Sequence, residues 1–62
     1  MTHYEVTLRD APLPMPVDAE KFEINRQGYT VFYARPAPGE PFEEIATFST
    51  RNVINIEEKR CP

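Results

Sequence analysis

Nowhere along this chain do apolar residues recur at helical spacing over three turns. They alternate instead. Tyr4, Val6 and Leu8 are interleaved with Glu5, Thr7 and Arg9, the period-2 pattern of a strand with one buried face. Tyr29 to Ala34 (Tyr-Thr-Val-Phe-Tyr-Ala) is richer still in the β-branched and aromatic residues that suit a pleated surface. The chain is therefore read as all-β. Further strands are expected over residues 17–25, from Phe42 or Glu43 to Phe48, and over residues 53–57. Asn25-Arg26-Gln27-Gly28 and Ser49-Thr50-Arg51-Asn52 make short turns between them. Short turns between successive strands imply antiparallel pairing. The predicted fold is an antiparallel meander of four to five short strands, curled into a small open barrel or roll.

Three prolines, Pro12, Pro14 and Pro16, interrupt this pattern. Each removes a backbone donor, so residues 11–17 cannot form a central strand. Leu13, Met15 and Val17 are apolar, and the segment is expected to drape over the core as a crossover. Beyond it, Val17 and Ala19 share one parity while Phe22 and Ile24 share the other. The switch predicts a bulge or a single helical turn near Glu20-Lys21. A second loop, residues 35–41, holds Pro36, Pro38, Gly39 and Pro41; its Pro38-to-Pro41 spacing is an isolated Pro-x-x-Pro.

With 62 residues this is one small domain, residues 1–57, followed by a charged tail, 58–62, expected to be flexible. Chains of this size usually need a disulfide, a metal or a partner for stability. One cysteine, Cys61, excludes an internal disulfide and suits a reducing compartment. His3 and Cys61 do not supply the four ligands of a structural zinc. Packing or association is left as the stabiliser. No apolar stretch is long enough for a membrane helix, and the first residues carry no signal pattern, so the cytoplasm is the expected location.

The same inventory argues against an enzyme. His3 lies on the solvent parity of its strand and Cys61 in the tail, so no nucleophile–base pair is evident. Glu43-Glu44 and Glu57-Glu58 are sequential, and in strands each pair points to opposite faces. Asp18, Glu20 and Glu23 lack the spacing of a calcium loop, and Gly28 and Gly39 are too isolated to cradle phosphate. No catalytic, cofactor or metal residues are assigned.

What remains is binding. Val31 with Phe32, Ile45 with Phe48, and Val53 with Ile54 place apolar side chains on both parities. The second face is covered by a barrel interior, by the proline segment, or by another chain, a second copy included. The predicted function is a small protein-interaction module, contacting another protein by an edge strand or an aromatic face. The contact residues are placed at Phe32, Tyr33, Arg35 and Phe42, around the mouth of the second proline loop. One alternative is a small barrel binding single-stranded nucleic acid through Phe22, Tyr29, Phe32 and Tyr33, with Arg26 and Arg35 nearby. Seven basic against ten acidic residues, a net charge of −3, weigh against it. Another is a structural component of a homo-oligomer or of a larger particle.

Gly28-Tyr29-Thr30-Val31-Phe32-Tyr33, Glu44-Ile45-Ala46-Thr47-Phe48 and Asn52-Val53-Ile54-Asn55-Ile56-Glu57 form the pattern xVFY…AxF…NVxxIE. In this the second half resembles short β-rich proteins of actinobacteria and their bacteriophages. The resemblance implies a small β fold and a phage or prophage accessory role in the host cytoplasm. It implies no activity and no site residues, because the matched positions are mostly core.

Overall fold

The computed structural model describes residues 2–59. Six strands follow in order: β1 Thr2–Leu8, β2 Met15–Ala19, β3 Lys21–Ile24, β4 Tyr29–Ala34, β5 Glu43–Ser49 and β6 Val53–Lys59. They form two three-stranded antiparallel sheets, ordered β2-β1-β6 and β3-β4-β5. Among the described residues no ladder joins the two sheets, so the architecture is open and not a closed barrel. The Cα trace is only 12 Å through its thinnest axis, close to the about 10 Å spacing of one sheet packed on another.

Three connections set this arrangement. Glu20, at the expected parity switch, bends the chain between β2 and β3 and so passes it from the first sheet to the second. The β3–β4 hairpin turns on Asn25, whose Oδ1 accepts the N–H groups of Gln27 and Tyr29, both at 3.0 Å. Gly28 completes that turn at φ 91°, a conformation that a side chain strains. A 3₁₀ turn, Thr50–Asn52, returns the chain to the first sheet. Both sheets hold it: the Thr50 N–H donates to the Gly28 carbonyl at 2.9 Å, and the Arg9 N–H donates to the Asn52 carbonyl at 2.8 Å.

The core lies between the sheets. Tyr4, Val6 and Leu8 of β1 and Val17 and Ala19 of β2 face Phe32 of β4. Phe32 and Val6 are fully buried, each worth about 1.5–3 kcal/mol relative to exposure. Phe32 joins the layers: its ring centroid lies 5.3 Å from Tyr4, 5.4 Å from Phe22 and 5.9 Å from Phe48. Thr30, also fully buried, shares a 3.0 Å hydrogen bond with the Thr50 hydroxyl and ties the 3₁₀ turn to the core face.

Two bulges resolve the apolar residues at mixed parity. Tyr33 pairs with Glu44 while Phe32 pairs with Ala46, leaving Ile45 as the extra residue of β5. Leu8 pairs with Val53 while Thr7 pairs with Asn55, leaving Ile54 as the extra residue of β6. Both isoleucines are exposed, and Val53 and Ile56 pack inward instead of Ile54 and Ile56 together. Val31 faces away from Phe32, between Glu23 of β3 and Thr47 of β5, and is buried there.

The proline segment departs in part from its expected role. Val17 packs into the core, but Leu13 is 75 % exposed and Met15 is exposed as well. Pro16 belongs to β2, an edge strand, where the missing donor is tolerated. At the other end, β6 runs two residues into the expected tail, because His3 and Tyr4 of β1 pair with Lys59 and Glu58. Residues 60–62, Cys61 among them, lie outside the described residues. Among the described residues no helix is long and apolar enough to cross a membrane.

Candidate functional site

The bend at Glu20 places a carboxylate against the end of β4. The Glu20 N–H donates to the Tyr33 carbonyl at 2.9 Å, fixing the bend beside the strand. Its Oε2 accepts the Arg35 backbone N–H at 2.7 Å, and its Oε1 accepts Arg35 Nη2 at 2.8 Å. Arg35 Nε lies 3.3 Å from both oxygens. A carboxylate thus holds both the main chain and the guanidinium of one residue, which fixes where the second proline loop leaves the sheet. Hydrogen bonds from the Arg35 side chain, then from its backbone, together with the guanidinium charge, hold the Glu20 carboxyl below its ordinary value. The same hydrogen bond and the Glu20 charge raise Arg35.

Phe42 folds back over this pair. Arg35 Cζ lies 4.9 Å and Lys21 Nζ 4.5 Å from its ring centroid, both within cation–π range. Lys21 is directly opposite Tyr33 in the β3–β4 ladder, with Nζ 5.4 Å from the Tyr33 ring. The phenyl ring is held by two cations and is still 43 % exposed. Beside it, Glu20, Arg35, Pro36, Ala37 and Pro38 line an open groove of about 190 Å³. That is less than the about 300–1,000 Å³ of a small-molecule pocket, and it suits a side chain of a larger partner.

Three of the four sequence-selected residues, Tyr33, Arg35 and Phe42, meet at this corner. Phe32 does not. It faces the opposite side of β4 and, with no exposed surface, belongs to the core. Sequence reasoning missed Glu20 and Lys21 as site residues. The parity switch at these two positions was the available signal, but it marks a bend without saying what the bend approaches.

His3, Asp18 and Glu23 are engaged separately. His3 Nδ1 lies 2.7 Å from Asp18 Oδ1 on the outer face of the first sheet. Glu23 pairs with Lys21 at 3.3 Å. Asp18, Glu20 and Glu23 therefore serve three different partners. The aromatic residues are divided too: Phe22 packs edge-on against Tyr4 between the layers, while Tyr33 lies on the outer face. They do not form one stacking platform.

No protein-family model, no curated protein and no solved structure matches this chain. Function is argued from the corner itself.

Proposed function

We propose that this chain is a small non-catalytic protein-interaction module whose contact surface is the corner of Tyr33, Arg35 and Phe42, framed by Lys21 and adjoining the free edge of β5. The observation that carries this reading is the Phe42 ring, fixed by two cations and a buttressed loop yet 43 % exposed. Ordering that ring before binding removes part of the entropic cost of association. Aromatic and arginine side chains also dominate the energetic centres of interfaces. The groove next to Phe42 offers a recess for one anchoring side chain.

The test is affinity capture from host lysate with three immobilised baits: the native chain, Tyr33→Glu, and His3→Ala on the other sheet. A specific partner retained by the native and His3→Ala baits but lost with Tyr33→Glu supports the corner. Equal retention by all three rejects it.

A further inference from the structure

The corner continues into the outer side of β5, and that edge has its own chemistry. Among the described residues, the order β3-β4-β5 leaves one side of β5 without a strand over seven residues, Glu43–Ser49, with no proline among them. The other sheet margins are less open to an added strand. Pro16 interrupts β2 and β3 spans four residues; β6 is as long as β5 and free of proline, but its Glu57 is already neutralised by Lys59 at 3.0 Å. An unpaired edge is a template for an extended segment, and the side chains along it select which segment.

Along β5 that selection is electrostatic. From Pro36 to Thr50 the chain holds three carboxylates, Glu40, Glu43 and Glu44, and no lysine or arginine. In the ladder Glu43 and Glu44 face Ala34 and Tyr33, neither of them cationic. The nearby cations are engaged: Lys21 with Glu23 and Arg35 with Glu20. Between the carboxylates and the strand's far end, Ile45 stands out as the exposed bulge residue. In an antiparallel pairing with a second copy, Glu43 and Glu44 of each strand would lie opposite Phe48 and Ser49 of the other, so no cation meets them. A basic segment would neutralise these carboxylates where a second copy would leave them uncompensated.

We propose that β5 is a docking edge for an extended, basic segment of another protein, which adds as a further strand. Backbone hydrogen bonds run along Glu43–Ser49. A dibasic pair in the segment meets Glu43 and Glu44, which point to opposite faces. An apolar residue covers Ile45. This rests on the interaction reading above and specifies its partner.

The probes are blocked peptides as long as β5, made of alternating valine and threonine. One ends in two lysines, one begins with two lysines, and one carries two glutamates in place of the lysines. Amide shifts of the isotope-labelled chain are followed at low ionic strength. One dilysine peptide is expected to shift the amides of Glu43–Ser49 and to bind about tenfold more tightly than the glutamate peptide. The double variant Glu43→Lys/Glu44→Lys should reverse that preference, with the native spectrum elsewhere showing that it still folds. Equal affinity of the peptides, shifts confined to the other sheet, or no binding overturns the inference. If the captured partner depends on Tyr33 while the peptides show no charge preference, the corner stands and the basic-strand inference falls. If the peptides behave as expected but capture ignores Tyr33, the edge stands and the corner falls.

Discussion

Replacing Phe32 with alanine tests whether one ring joins the two layers. Phe32 is fully buried and touches three other rings, two on its own sheet and Tyr4 on the facing one. Truncations of this kind cost about 3–5 kcal/mol, combining lost transfer energy with an unfilled cavity. A chain of 62 residues is expected to have about 3–9 kcal/mol of total stability. Phe32→Ala therefore removes between about a third and all of it. Phe32→Leu keeps much of the buried volume and should fold with a lowered urea midpoint. Phe42→Ala, which deletes a comparably sized but exposed ring, should change stability by less than about 1 kcal/mol. Urea unfolding followed by tyrosine fluorescence and far-ultraviolet circular dichroism reads all three. A Phe32→Ala protein that unfolds within about 1 kcal/mol of the native chain would refute the layered packing described here.

The Glu20–Arg35 pair makes stability depend on acid. Because the folded carboxyl is held below its ordinary value, its contribution is complete above the ordinary glutamate range and is lost as pH falls through the folded value. Glu20→Gln should be less stable than the native chain at neutral pH, and the two denaturation midpoints should converge in strong acid. At the β3–β4 turn, Gly28→Ala should cost about 1–2 kcal/mol, read from its urea midpoint, because φ is 91° there, and Gly28→Asn should cost less. Thr30→Val removes the bond to the Thr50 hydroxyl and should cost about 1 kcal/mol, with faster amide exchange in the 3₁₀ turn as the local readout.

Much of the fold was legible because strands announce themselves by parity. The Tyr4–Leu8 alternation and the Asn25–Gly28 turn correspond to structure, and the parity switch at Glu20-Lys21 marks a real break, although it is a bend between two sheets and neither the bulge nor the helical turn expected. Parity misleads at Ile45 and Ile54, because a bulge shifts register by one residue and its position depends on the neighbouring strand. For the same reason Ile54 lies exposed while Val53 and Ile56 pack inward. The extension of β6 to Lys59 was hidden because Glu57, Glu58 and Lys59 carry no apolar signal; pairing with β1 decides it. At the corner, composition pointed to Tyr33, Arg35 and Phe42. It misassigned Phe32 because that residue is aromatic and adjacent to Tyr33, while strand geometry sends neighbours to opposite faces. Glu20 was invisible as a site residue because its bond to Arg35 spans fifteen positions of the sequence.

The corner is tested most directly by amide hydrogen exchange of the chain, alone and with a captured partner bound. The account predicts slowed exchange from Tyr33 through Phe42 and along β5, with the amides of β1, β2 and β6 unchanged. Protection confined to the outer face of the β2-β1-β6 sheet, leaving Tyr33 to Phe42 unaltered, would contradict it.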